Sequence, residues 1–492
     1  MTHQAVIIGA GLGGLSCAIT LASKGWKVTI LERQHTAGGK LQRVQKEGYI
    51  FDRGPSSITM PHVFRGIFEQ GGAKMEDYIG LYELEPRSRN VFADGSVVDM
   101  SRDAEKMKDQ ISTFSPSDAL QYENFLRESA ELYQHSEENF LNRLMLNWRD
   151  KARPSMLRSL LRVRPMTPLS SLLHRYFQHP NTLAMMGRYS TYVGSSPQQA
   201  PSMFAMLGHV EAELGVYGVR GGTYSIVEGM VKLARELGVE LITDTEVKHI
   251  AVWGGRATGV DTSSGYYKAD TVISNGDVLT VNRTLLDEED RPSMSNEKIS
   301  SFEPSLSGFV TLAGVPRQYN KLLHHTVFFP EHYDREFQEI FVDKQPPEHP
   351  ALYVCYSGYS EAGMAPDCCS NLFILANAPY LSPLTNWNRE TEAYGEKVLA
   401  DLKSHGLKDI DKSDVLLHYT PQNIEEDTLA YKGAIYGISA NSVKQTFFRP
   451  GNQSKDVKGL WFVGGATHPG SGTPIVTLTG RLVGEYIDSH KV

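Results

Sequence analysis

Three glycines near the start of the chain constrain its fold more than any other feature: Gly9, Gly11 and Gly14. They sit between a short apolar run and a helical pattern. Residues 5–8 predict a buried strand. Leu15, Ala18, Ile19 and Leu21 then recur at helical spacing. Gly25 ends that helix, and residues 28–31 predict a second strand. In such a βαβ unit Gly9 permits the tight turn, Gly11 lets a pyrophosphate approach the backbone, and Gly14 lets helix and strand pack closely. Free N–H groups at the helix start suit phosphate charge. Glu32, at the end of the second strand, is placed to accept ribose hydroxyls, and its carboxylate disfavours a 2′-phosphate.

A chain of 492 residues is long for one core, so two interleaved domains are expected. Residues 224–237 predict a helix with Ile226, Val227, Met230 and Leu233 on one face. Residues 239–242, 247–252, 257–260 and 271–274 predict strands. The stretch 60–215 differs, being richer in Met, Arg, His and Tyr. Further strand-like pieces lie at 308–312 and 372–375. The glycine-rich segment 459–480 leads into a last helix. The expected layout is a nucleotide-binding domain from residues 1–80, 215–285 and 440–492. A mixed α+β substrate domain from 81–214 and 286–439 is inserted into it.

A second glycine pair follows the acidic residue, in Gly38-Gly39-Lys40, and is foreign to the NAD pattern. It resembles the extended N-terminal signature of glutathione-reductase-type flavoproteins such as amine oxidases and carotenoid desaturases. There the pair lies near pyrophosphate and flavin. Val247 resembles the position where such proteins hold adenine through backbone groups.

Other segments narrow the family. Asp52-Arg53-Gly54-Pro55-Ser56 resembles the Asp-x-Gly-Pro-Ser segment of carotenoid desaturases, and Gly221-Gly222-Thr223 resembles their substrate-side glycine pair. Residues 459–480, GLWFVGGATHPGSGTPIVTLTG, resemble the family's C-terminal flavin segment. The likeness spans essentially the whole chain. It is closest to the branch that oxidises terminal methyl groups of C30 carotenoids, the diaponeurosporene and diapolycopene oxygenases. Thr473-Pro474-Ile475-Val476-Thr477-Leu478, Val193-Gly194-Ser195-Ser196 and Gly433-Ala434-Ile435-Tyr436-Gly437 carry that likeness. Plain desaturases more often have Val-Pro-Gly or Ile-Pro-Gly at the first of these. Ser471 departs from the branch's glycine, and Gly465 stands where relatives often carry an acid for the ribityl chain.

The resemblance implies an α/β, glutathione-reductase-type FAD-binding Rossmann fold, FAD as cofactor, and a long polyene substrate. Its cofactor positions fall on Gly9, Gly11, Gly14, Glu32, Gly38, Gly39, Lys40, Gly54, Pro55, Val247, Gly464, Gly465, Gly472, Thr473, Pro474, Ile475 and Val476. Pro474 suits a first helical turn, whose N–H groups would face the flavin's electron-rich edge. Oxidising a methyl group also needs molecular oxygen. A desaturase that inserts conjugated double bonds is the alternative. A flavin amine oxidase and a flavin-bound protein without net redox turnover are more distant ones. His468 is read as a structural hydrogen-bonder or a proton shuttle, and Asp52 as a turn residue or a base. No metal site is expected from ligand spacing.

The net charge of −8 argues against nucleic acid as a partner. Four cysteines, Cys17, Cys355, Cys368 and Cys369, make no CxxC pair and suit a reducing cytosol. No apolar run is long enough to span a bilayer. Between positions 149 and 188 lie eight cations (Arg149, Lys151, Arg153, Arg158, Arg162, Arg164, Arg175 and Arg188) against a single acid, Asp150. Interleaved apolar residues, Met156, Leu157, Leu160, Leu161, Met166, Leu169, Leu172, Leu173, Tyr176 and Phe177, make this a basic amphipathic stretch. It suits peripheral docking on an anionic membrane from the cytoplasm.

Overall fold

The computed structural model describes residues 3–490 except 148, 149, 151, 152, 154, 155, 157, 158, 160 and 161. It begins with strand Gln4–Ile8, helix Leu12–Ser23 and strand Lys27–Leu31. The two strands lie side by side in parallel, with Ile7 opposite Ile30. Thr271–Ser274 pairs on the far side of the first strand, and Leu460–Phe462 pairs beyond it. Glu240–Ile242 completes the other edge. All four pairings are parallel. A sheet covered on both faces needs apolar strands throughout, which is why residues 5–8 and 271–274 read as plain hydrophobic runs. Helix Ser225–Glu236 packs Ile226, Val227, Met230 and Leu233 into the same core as Leu15 and Ile19.

A second sheet has seven strands. Their order is Val415–Tyr419, Ser307–Val315, Ser370–Ala378, Leu352–Tyr356, His325–Phe328, Ser88–Val91 and Val97–Met100. It is antiparallel except where His325–Phe328 meets Ser88–Val91. The pieces expected at 308–312 and 372–375 are parts of two nine-residue strands that pair along their whole length. Helix Pro116–Ser136 and the short helices Leu169–Leu173 and Pro180–Gly187 form an apolar layer around Phe125, Leu172, Phe177 and Met186.

That layer takes up part of the apolar face of the basic stretch. Met156, Leu169, Leu172, Leu173 and Phe177 are buried in the core, while Met166 is 81% exposed. Most of the described apolar side chains are therefore spent on packing rather than offered to lipid. Arg164 and Arg175 pair with Glu128, and Arg188 stacks over Tyr192. Arg149, Lys151, Arg158, Leu157, Leu160 and Leu161 lie outside the described residues. Asp52 is corrected. It lies within strand Tyr49–Arg53, opposite Arg43 of Gln42–Lys46, rather than in a turn.

Candidate active site

The glycine loop folds as its spacing demands. Gly9 has φ +92°, and a β-carbon on Gly14 would lie 2.3 Å from the Gly9 carbonyl oxygen. Gly38 donates its N–H to Ala10 O at 2.9 Å, so the second glycine pair lies against the first. A β-carbon on Gly39 would sit 3.4 Å from Gly11 Cα. Glu32 is buried at the strand end. Its carboxylate accepts from Ala10 N at 2.7 Å and Gln34 N at 2.8 Å. Its carbonyl accepts from Thr245 N at 2.8 Å, which brings the start of strand Val247–Trp253 beside the acid.

Helix Thr473–Ser489 reaches the same place from the other end of the chain. A β-carbon on Gly13 would lie 3.2 Å from Val476 O and 3.3 Å from Gly464 N. The starts of the first and last helices thus converge. Both begin at a glycine, Gly11 and Gly472. Among the described residues neither has a capping side chain or an acid in its first turn. Bare N–H groups at two helix starts favour an anionic ligand. Pro474 occupies the first turn, where its missing N–H costs no hydrogen bond. These features fit a flavin dinucleotide, whose pyrophosphate and ring both carry or develop negative charge.

The structure adds residues that pattern reading missed. The Asn275 side chain lies between the loops: β-carbons on Gly11, Gly13 and Gly464 would meet its amide atoms at 2.6, 2.7 and 3.3 Å. Its signal was positional, since it follows the C-terminal end of strand Thr271–Ser274, where open α/β sheets bind ligands. Asn452 donates to Phe462 O at 3.2 Å and His468 O at 2.9 Å, pinning the segment that leads into the last helix. A β-carbon on Gly465 would sit 2.9 Å from Ser471 Cβ, so this segment folds tightly on itself.

The remaining sequence candidates divide. A β-carbon on Gly54 would lie 2.3 Å from Lys40 O, so Gly54 and Pro55 rest on the second glycine loop. Lys40 turns its ammonium to Ala434 O at 3.0 Å and Ile435 O at 2.8 Å. Burial lowers its pKa to about 8, against the opposing pull of Asp277. His468 Nε2 lies 3.1 Å from Phe140 O and 3.0 Å from Arg143 O. A ring nitrogen facing two carbonyl oxygens is the protonated donor, so that nitrogen is committed to structure. Asp52 pairs with Arg43 at 3.2 Å and accepts from Thr223 at 3.3 Å. Burial raises its pKa and Arg43 opposes the rise.

A large apolar cavity adjoins the converging helices. It holds about 1250 Å³ of space, part of it open to solvent, and Met60, Tyr133, Phe140, Met203, Phe204 and Leu207 line it. It closes on Gly472, Thr473, Pro474 and Ile475 at the start of the last helix. Polar groups enter as well, including Thr59, Tyr192, Glu211 and Arg449. Glu211 accepts from Tyr192 at 2.5 Å and lies 3.5 Å from Arg87. Arg449 donates to Gln445 O at 3.3 Å, and burial lowers its pKa to about 10.

A parallel sheet with a glycine loop, two bare helix starts and an apolar cavity that closes on the second of them define a flavin oxidoreductase. The chain belongs to the flavin containing amine oxidoreductase family, whose model matches residues 12–487. It is 36% identical to a 4,4′-diapolycopene oxygenase of Methylomonas sp over 99% of this chain and 98% of that one. It is 32% identical to a 4,4′-diaponeurosporene oxygenase of Staphylococcus haemolyticus, over 98% and 97%. Among solved structures the fold resembles an oxidoreductase from Methanosarcina mazei, with TM-score 0.65, 16% identity and coverage of 98% and 100%. It also resembles cyclohexylamine oxidase from Brevibacterium oxydans, with TM-score 0.63, 14% identity and full coverage of both chains.

Proposed function

We propose that this chain uses FAD and oxygen to convert the terminal methyl group of a linear C30 polyene to an aldehyde. The observation that carries this reading is the apolar cavity that closes on residues 472–475 at the start of the last helix. A site of that size, with a mostly apolar surface, suits a long hydrocarbon better than an amine, because it buries apolar length. The full-length likeness to two carotenoid oxygenases supports the same substrate class.

The overall conversion balances without another reductant. One methyl group and one O₂ give one aldehyde and one water. FAD supplies the redox chemistry when bound. The chain's own residues bind and orient. Gly9, Gly11, Gly14, Gly38 and Gly39 would admit the pyrophosphate, Glu32 the ribose, and the backbone at Val247 the adenine. Gly464, Gly465 and residues 472–476 would receive the ring. Met60, Phe140 and Phe204 would grip the polyene and exclude water. Lys40 and Gly54-Pro55 would brace the glycine loops.

The same reading takes the fold as glutathione-reductase-type. Residues 1–80, 215–285 and 440–492 form the FAD domain, and 81–214 with 286–439 form the substrate domain. The enzyme would meet its substrate as a peripheral protein at the membrane surface, through exposed cations such as Arg153 and Arg162 and the exposed side chain of Met166. Among the described residues no helix is long and apolar enough to cross a membrane.

The test is product mass spectrometry on FAD-loaded protein in liposomes, with diaponeurosporene as substrate, in air and under nitrogen. Replacement of two hydrogens by one oxygen, in air alone, is the expected result. Loss of hydrogen pairs without oxygen would overturn the oxygenase reading in favour of a desaturase.

A further inference from the structure

The seven-stranded sheet gathers three metal-ligating side chains. Strand His325–Phe328 runs antiparallel to Leu352–Tyr356, and the register sets His325 opposite Cys355. Directly opposed residues project to one face of a sheet, with β-carbons about 4.5–5.5 Å apart. His324 precedes the strand and folds onto the same spot, its ring 4.6 Å from that of His325 and edge to face. One ligand atom from each of the three falls within 4.8 Å of the other two, and all three residues are buried.

The hydrogen bonding supplies an independent observation. Buried polar atoms are nearly always paired. Here His324 Nδ1 and His325 Nε2 have no partner among the described residues. The other nitrogen of His325, Nδ1, lies 2.7 Å from the Tyr353 hydroxyl, which lies 2.6 Å from Ser56 Oγ. A metal-binding imidazole is normally held in this way, one ring nitrogen fixed by a hydrogen bond and the other left free.

We propose that His324, His325 and Cys355 form a binding site for a borderline-soft transition ion of the Zn²⁺ class. Two imidazoles and a thiolate favour such an ion over Mg²⁺ or Ca²⁺, which prefer oxygen. Three protein ligands leave a fourth position for water, and a cavity of about 20 Å³ lined by Asp52, Ser56, His324 and Cys355 has room for one. Side-chain rotations that draw the ligand atoms in by about 1 Å would complete bonds of roughly 2.0–2.3 Å. The Cys355 sulfur would bind as the thiolate. Binding then forms one metal–sulfur bond, breaks one S–H bond and releases one proton to solvent.

This inference stands apart from the polyene reading, and its test does not depend on turnover. Full-length, flavin-loaded protein is dialysed against chelator and titrated with Co²⁺. One Co²⁺ per chain should bind, with visible d–d bands, a thiolate-to-cobalt absorption in the near ultraviolet, and about one proton released. Equimolar Zn²⁺ should abolish the bands. Cys355→Ser should lose the thiolate absorption, and His324→Gln should weaken binding at least tenfold, both with flavin absorbance unchanged. The double variant Cys368→Ser/Cys369→Ser should keep the thiolate absorption. No thiolate absorption in the parent protein, or a band that survives Cys355→Ser, would overturn the site. Loss of the band in the double variant would do the same, assigning cobalt to those more accessible thiols.

Discussion

The Ser16 hydroxyl donates to the carbonyl of Thr477 at 2.6 Å, joining the first helix of the chain to the last. Close contact continues along that crossing. A β-carbon on Gly480 would lie 2.2 Å from Gly13 O, and one on Gly484 would lie 2.9 Å from Thr20. At Gly480 the obstacle is backbone, so nothing can rotate away. Gly480→Ala should therefore part the helices, costing about 1–3 kcal/mol of stability and reducing flavin retention. Thermal unfolding and the ratio of flavin to protein absorbance would read both.

Gly14→Val should abolish flavin retention, since the added carbon meets the Gly9 carbonyl at 2.3 Å. Purified protein should be colourless. A yellow, fully loaded variant would remove the glycine loop from the cofactor site.

Filling the apolar cavity should separate substrate binding from cofactor binding. Met206 lines that cavity away from the glycine loops. Met206→Trp should lower turnover of a C30 polyene at least tenfold while leaving the flavin spectrum unchanged. Equal turnover in the variant would place the polyene elsewhere.

Glu336 provides a pH signature. Its carboxylate accepts from Ala351 N and Asn377 Nδ2, each at 2.6 Å, and burial raises its pKa from 4.5 to about 7. Below about 4.5 the folded and unfolded forms are both protonated. Between 4.5 and 7 only the unfolded form ionises, so stability falls as pH rises through that window. Glu336→Gln should flatten this part of the stability profile, as differential scanning fluorimetry at a series of pH values would measure.

Charge reversal at Arg153 and Arg162 should weaken sedimentation with anionic liposomes at low salt and leave flavin content unchanged. Binding equal to the parent protein would mean that other surfaces meet the membrane.

Much of the nucleotide-binding half is legible because its strands are buried on both faces and its turns require glycine. Residues 5–8, 28–31 and 271–274 appear as strands for that reason, and Gly9, Gly11 and Gly14 mark the loop. The seven-stranded sheet is harder to read. Ser88–Val91 and His325–Phe328 are four residues each, and their partnership spans more than two hundred positions. The cluster of His324, His325 and Cys355 escaped spacing rules because cross-strand register, not sequence interval, brings its members together. Asn275 carried no motif, only a position after a strand. The basic stretch is only partly legible for a related reason: charge and apolarity are visible, but not that Leu169, Leu172 and Phe177 turn inward.

The parallel sheet draws its strands from near residues 4, 27, 240, 271 and 460, and its central strand is the first one made. During synthesis that strand must wait for most of the chain to emerge before its sheet is complete. The two bare helix starts meet only after the last helix leaves the ribosome. On the proposed cofactor site, flavin capture waits for helix Thr473–Ser489: a ribosome stalled before residue 473 would yield a polypeptide with half a cradle.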